Sequence, residues 1–143
     1  MKRVLAVSSG GGHWQQMKLL SLAFEEFEVI YASTAKRRGA EVRTLPDCNL
    51  RTPVKVVFTT FCVWKLVRDI RPDVVVSTGA APGVLTLIIA KFFGCRTIWV
   101  DSIANVDAMS LSGRVARRFS DLWMTQWPQV SRRYGAIYAG SVL

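Results

Sequence analysis

His13 is the only histidine in this 143-residue chain, and it directly follows Gly10, Gly11 and Gly12 in the stretch VSSGGGHWQQ. Imidazole is the side chain best suited to taking up a proton near neutral pH. Glycines let a backbone turn tightly and let a ligand approach its amides. A strand-to-helix turn of this kind aims free N–H groups and the positive end of the helix dipole at an anion, above all phosphate. Two readings therefore stand for Gly10–Gly12: a close turn that needs glycine, or half of a phosphate cradle. His13 reads either as a general base or as a residue packed beside the loop.

The triplet is not a dinucleotide fingerprint, because Gln15 stands where GxGxxG needs glycine, and it lacks the GK[ST] of a P-loop. No acidic residue follows at ribose-binding spacing: Glu25, Glu26 and Glu28 come too early and Glu41 too late. The pattern calls for no cofactor. Cys48, Cys62 and Cys95 are far apart, with no CxxC or zinc-like spacing, so they read as reduced thiols and no metal is expected.

Two further loops carry chemistry. The apolar run Asp73–Ser77 ends in Thr78-Gly79-Ala80-Ala81-Pro82-Gly83, a second glycine loop. The run Arg96–Val100 ends in Asp101, with Asn105 close behind. Asp101 reads as a second candidate base, as the group that orients His13, or as a cap; Asn105 as an acceptor contact or a turn residue.

The elements that must position these loops alternate. Strands are expected at Arg3–Ser9, Phe27–Ser33, Asp73–Gly79, Arg96–Ser102, Asp121–Gln126 and Ala136–Gly140. Helices are expected at His13–Phe24, Pro53–Pro72, Pro82–Gly94 and Ser112–Ser120, and Thr34–Thr52 reads as a loop or weak edge element. Alternating strands and helices predict an α/β fold: one Rossmann-like domain over residues 1–143, a parallel sheet with helices on both faces. Ligands of such sheets bind outside the carboxyl ends of the strands, where the order reverses. If the first strand neighbours the one at Asp73–Ser77, both glycine loops face that crevice and can grip a diphosphate through Gly10, Gly11, Gly12, Thr78, Gly79 and Ala80.

Half of the residues are hydrophobic, which excludes a disordered chain, and the formal charge of +9 favours an anionic partner. The N-terminus has an apolar stretch of about five residues, against roughly 7–15 in a signal peptide, so no leader is expected.

SSGGGHWQQM, VVSTGAAPG, IWVDSIANV and the final YAGSVL occur in this order. Together they resemble the acceptor-binding N-terminal half of MurG-type GT-B glycosyltransferases. They are most similar to the PssD-type subunits of bacterial exopolysaccharide synthesis. Those in turn are similar to the membrane-side subunit of the eukaryotic two-component dolichol-diphosphate N-acetylglucosaminyltransferase. The sequence departs from MurG in its shorter glycine loop, in Asp101 where MurG has glutamate, and in ending Gly140-Ser141-Val142-Leu143 rather than Gly-Asn-Pro. The resemblance implies a half-enzyme whose UDP-sugar site lies on a separate PssE-like donor-binding subunit. It also implies an inverting transfer to a polyprenyl-diphosphate-linked acceptor, with His13 first and Asp101 second as base, and Asn105 beside the acceptor.

A lipid-linked acceptor requires contact with the membrane. On a helical wheel for Val54–Ile70, Arg51, Lys55, Thr59, Lys65 and Asp69 form a polar stripe, and apolar residues cover most of the rest. One side can pack on the sheet while Lys55, Phe58, Phe61, Trp64 and Lys65 meet the inner membrane surface. The alternative is a fully buried helix. Nine residues separate Lys55 from Lys65, well short of the roughly 20 needed to span. The expected state is therefore peripheral, on the cytoplasmic face of the cell membrane. Arg37, Arg38, Arg43 and Arg51 would meet anionic headgroups. Pro82–Gly94 reads as core.

The cluster Arg114, Arg117, Arg118, Arg132 and Arg133 reads as a solvated face, or as a lipid or partner contact. Trp123, Trp127, Tyr134 and Tyr138 read as core, and the apolar C-terminal segment as a partner contact. Two competing functions are a non-catalytic membrane recruiter and a basic nucleic-acid-binding module. The second lacks any recognisable motif or RNP-like aromatic pattern, so no nucleic acid is expected.

Overall fold

The fold is a seven-stranded parallel sheet, seen in a computed structural model that describes residues 1–36, 41–49 and 51–142. The strands are β1 (Arg3–Ser8), β2 (Glu28–Ser33), β3 (Val42–Thr44), β4 (Val74–Ser77), β5 (Arg96–Val100), β6 (Leu122–Thr125) and β7 (Ile137–Tyr138). The helices are α1 (Gly12–Leu20), α2 (Pro53–Ile70), α3 (Ala80–Phe92), α4 (Leu111–Ala116) and α5 (Pro128–Tyr134). The order β3-β2-β1-β4-β5-β6-β7 reverses between β1 and β4, which pair from Val4 with Val74 to Val7 with Ser77. The two glycine loops therefore do leave neighbouring strands at the switch point.

Alternation along β1 divides the core. Leu5 and Val7 join the larger cluster, which includes Val63 and Val67 of α2, Leu87 and Ala90 of α3, Ala116 of α4 and Val130 of α5. Val4 and Ala6 face the other way, toward Met17 of α1 and Phe24 of the 3-10 turn Ser21–Phe24. Helices thus cover both faces, unequally.

Several expectations shift. α1 starts at Gly12 and α3 at Ala80, so each helix begins inside its glycine loop. The weak edge element is the short strand β3. The helix α5 was not expected; Pro128 opens it and Gly135, at φ 76°, closes it. Thr59 is not on the polar stripe of α2. It is fully buried with Val63 and Val67, and its hydroxyl donates to the Pro46 carbonyl at 3.4 Å. A threonine with a backbone acceptor can face a core at little cost. Phe92 and Phe93, expected in the core, are exposed at the end of α3, 86% and 43% accessible. Arg37, Arg38 and Leu143 lie outside the described residues.

Candidate acceptor site at the switch point

Three loops meet above the carboxyl ends of β1, β4 and β5, and specific side chains tie them together. His13 and Thr78 bond reciprocally. The Thr78 hydroxyl donates to the His13 carbonyl at 2.9 Å, and His13 Nδ1 lies 3.1 Å from the Thr78 carbonyl. A carbonyl only accepts, so Nδ1 carries the proton and a neutral ring keeps its lone pair on Nε2.

Gly79 explains itself in this setting. A Cβ there would stand 2.4 Å from His13 Nδ1, and its φ of 150° suits glycine alone. Gly83 is the close approach of α3 to β4, since a Cβ would lie 2.0 Å from Ser77 Oγ. In the first loop Gly11 needs its φ of 65°, and a Cβ at Gly10 would press on Ala35 at 3.1 Å. Gly12 faces open space. Its bareness satisfies no turn or packing demand.

The first amides of a helix have no intrahelical partner. Neither α1 nor α3 has a side-chain cap or an acidic residue in its first turn. Two helix N-termini therefore converge with their amides and dipoles directed at one crevice. Ser8, fully buried at the end of β1, carries a hydroxyl without a hydrogen-bond partner among the described residues. The arrangement suits an anion with oxygens to share between both helices.

Asp101 is held by a different set of partners. It is 1% exposed. Oδ1 accepts from Trp99 Nε1 at 3.1 Å and Ser110 Oγ at 2.6 Å. Oδ2 accepts from the Ser110 amide at 3.1 Å and Asn105 Nδ2 at 3.0 Å. Gly113 packs so closely that a Cβ there would stand 2.7 Å from Oδ1. These four donors do not include His13, so the expectation that Asp101 orients His13 is corrected: His13 is oriented by Thr78. Asp101 instead pins the loop after β5 and the start of α4, where Ser110 caps the helix through Gly113. Asn105 donates its side-chain amide to Asp101, and its backbone N–H closes a turn onto the Ser102 carbonyl at 3.0 Å.

The sequence reading missed Gln16. Buried on α1, it donates to the carbonyls of Val100 and Asp101 at 3.4 and 3.1 Å and accepts from the Ile103 amide at 3.0 Å. It joins the first glycine loop's helix to the third loop. Its signal was a polar residue between Trp14 and Met17, on the side of the helix that packs inward.

The expected membrane residues Lys55, Phe58, Phe61, Trp64 and Lys65 are all exposed on α2. Phe58 and Phe61 are 59% and 60% accessible. Phe61 stacks on Trp64 at 6.3 Å and Trp64 meets Phe93 at 6.5 Å, so the patch runs on to the end of α3. The fully buried alternative for α2 is thereby excluded. Among the described residues no helix is long and apolar enough to cross a membrane. Arg43 and Arg51 are exposed.

Within the late basic cluster, Arg114 and Arg133 lie over the Tyr134 ring and Arg117 over Trp123, all at 5.3 Å. These three are packed against the fold's own aromatic rings. Trp123 is buried and Trp127 bonds the Ile103 carbonyl at 2.6 Å, but Tyr138 is exposed beside Ile137 on the edge strand β7. Burial pushes the Cys48 and Cys95 thiols up, which leaves them poor nucleophiles.

Residues 15–142 match the family described as "Oligosaccharide biosynthesis protein Alg14 like". The chain belongs to the Alg14-like family. The UDP-N-acetylglucosamine transferase subunit ALG14 of Mus musculus is 33% identical over 98 residues, covering 61% of this chain and 45% of its own. The corresponding subunit of Schizosaccharomyces pombe is 34% identical over 102 residues, covering 59% and 47%. The chain spans about half the length of the curated relatives it matches. Acinetobacter baumannii MurG superposes with a TM-score of 0.75 over 91% of this chain and 43% of MurG, at 14% identity. The UDP-bound S. aureus MnaA gives 0.73 over 99% and 44%, also at 14%. Those two likenesses establish the Rossmann-like half of a GT-B fold. The family match starts just past His13, so the first glycine loop rests on its geometry.

Proposed function

We propose that this Alg14-family chain is the acceptor-binding subunit of a two-component inverting glycosyltransferase. It holds a polyprenyl-diphosphate-linked sugar, and a PssE-like partner presents the UDP-sugar. The observation that carries this reading is the pair of uncapped helix N-termini locked together by His13 and Thr78 at the strand-order reversal. Amides of Gly11, Gly12 and Ala80 surround the diphosphate, while the Gly79 and Gly10 amides are taken by the Ser77 and Thr34 hydroxyls, each at 3.3 Å. The acceptor hydroxyl attacks the anomeric carbon of the donor, the carbon–oxygen bond to UDP breaks, and UDP leaves with the electron pair. His13 Nε2 takes the hydroxyl proton. Nδ1, held by Thr78, keeps the ring in the tautomer this needs.

The apolar face of α2 rests on the cytoplasmic surface of the membrane, with Lys55 and Lys65 at anionic headgroups. Ile137 and Tyr138 on the exposed edge β7 meet the partner, together with the segment through Val142, whose amide Gln126 anchors at 2.9 Å. The names of the curated relatives support the sugar-transfer chemistry, and the resemblance to PssD-type subunits supports a place in polysaccharide assembly.

The test is co-expression with the small glycosyltransferase-like partner, then assay of membrane lipid extracts against a panel of nucleotide sugars. The expected result is a stable complex that transfers one sugar onto lipid diphosphate only when both chains are present. Absence of both complex and transfer overturns the reading.

A further inference from the structure

An apolar groove of about 140 Å³ opens beside the second glycine loop. Ala81 and Leu85 form its wall on α3, Val56 closes it from α2, and Leu111 and Val115 from α4. Ala81 is the second residue of α3, one step beyond the amide of Ala80. Four residues of helix advance about 6 Å, so the groove runs along the first turns of α3, away from the crevice. Its rim stays apolar: Leu111 and Val115 are exposed.

We infer that this groove holds the first prenyl unit of the acceptor lipid, at the carbon end of its diphosphate. The inference rests on reading the glycine loops as a diphosphate cradle. Three observations commit the groove to this occupant. The groove begins where the cradle's second helix begins, and in a lipid diphosphate the hydrocarbon is attached directly to the phosphate. Its rim carries the exposed Leu111 and Val115, so a longer chain can leave over them. Its size also fits: an apolar cavity of about 150 Å³ takes benzene, with six carbons, and one prenyl unit has five. A water-soluble polar ligand would find few partners on these walls.

Calorimetry on the full chain compares inorganic pyrophosphate, dimethylallyl diphosphate and geranyl diphosphate, all short enough to stay dispersed. Dimethylallyl diphosphate is expected to bind at least tenfold tighter than pyrophosphate, and geranyl diphosphate to add a smaller step. Ser112→Trp, at the half-exposed lining residue Ser112, fills the groove and should abolish the gain while leaving pyrophosphate affinity within twofold. Leu111→Ser, on the exposed rim, should reduce the gain severalfold and provides a second variant with little risk to folding. Equal affinity for pyrophosphate and dimethylallyl diphosphate overturns the groove assignment and leaves the cradle standing. So does a gain that neither variant diminishes. Failure of the wild-type chain to bind any of the three overturns the cradle as well.

Discussion

His13 and Thr78 hold each other twice, ring to carbonyl and hydroxyl to carbonyl, across the gap between the first two loops. The first bond selects the tautomer and the second fixes the backbone from which the ring projects. His13→Asn separates structure from chemistry, because an asparagine side-chain N–H can still donate to Thr78 but offers no basic nitrogen. In the reconstituted pair kcat is expected to fall by about 10²–10⁴, the usual worth of a general base, with the melting temperature nearly unchanged. Near-normal turnover of a folded His13→Asn enzyme would remove the base assignment and favour a chain that only recruits.

Gly79 and Gly12 are glycines for different reasons, and alanine tells them apart. Gly79→Ala drives a methyl into the imidazole at a φ of 150°. It is expected to cost about 1–3 kcal/mol in stability and to displace His13. Gly12→Ala meets nothing within 4 Å at the start of α1 and should leave stability within about 0.5 kcal/mol. Its methyl would instead crowd the crevice, so pyrophosphate affinity should drop while chemical denaturation is unchanged. A Gly12→Ala chain with intact pyrophosphate binding would show that this amide is not in the cradle.

Asp101→Asn places an amide N–H₂ where Trp99, Ser110 and Asn105 all donate. A buried donor facing donors costs about 2–3 kcal/mol, and Tm should fall by roughly 8 °C. The loss appears in the isolated chain, before any partner or substrate is added. An unchanged Tm with a collapse in kcat would instead return Asp101 to the reacting centre.

The two glycine loops were legible because Gly10–His13 and Thr78–Gly83 each end an apolar run, but the pairing of β1 with β4 that brings them together stood only as a condition, and the fold supplies it. The lock between the loops was not legible, since side chains 65 positions apart carry no periodic signal. Among the roles open to Asp101, the one of orienting His13 was excluded only by the fold, because its donors on Trp99, Asn105 and Ser110 come together when the loop closes. Thr59 misled the helical wheel because a wheel sorts residues by polarity, and a threonine whose hydroxyl finds a carbonyl is buried as readily as valine. The exposed apolar stripe of α2 was legible as an excess of apolar surface. Its continuation to Phe92 and Phe93 was not, because the last turn of α3 leaves the core only in three dimensions.

Acid should loosen the edge where α3 meets β6. Asp121 pairs with Lys91 and accepts from the Thr97 amide at 2.8 Å, and the lysine bond, chiefly, holds its carboxyl below the usual carboxylate range. A carboxyl with a depressed folded-state pKa stabilises fully above its unfolded value, about 3.9, and that contribution fades as pH falls through the lower folded value. The pair is about one-third exposed, so solvent keeps the contribution to about 1 kcal/mol or less. Denaturation midpoints of wild type and Asp121→Asn should differ at pH 6 and draw together as the pH falls below the unfolded value of about 3.9. A constant gap across that range would show that the hydrogen bonds, not the charge, matter.

The bare stripe of α2 gives the most direct reading of the membrane proposal. Phe58 and Phe61 are exposed, so Phe58→Ser/Phe61→Ser removes apolar surface without opening a cavity, and stability should stay within about 0.5 kcal/mol. Each phenylalanine buried in lipid contributes about 1–2 kcal/mol. Sedimentation with phosphatidylcholine–phosphatidylglycerol vesicles should therefore weaken at least thirtyfold. Lys55→Gln/Lys65→Gln acts through charge instead, at about 1 kcal/mol per cation near an anionic surface. Its effect should vanish on pure phosphatidylcholine and shrink with added salt, whereas the effect of the serine pair should survive both. If the serine pair sediments like wild type, α2 does not face the bilayer, and its apolar stripe belongs to a protein contact.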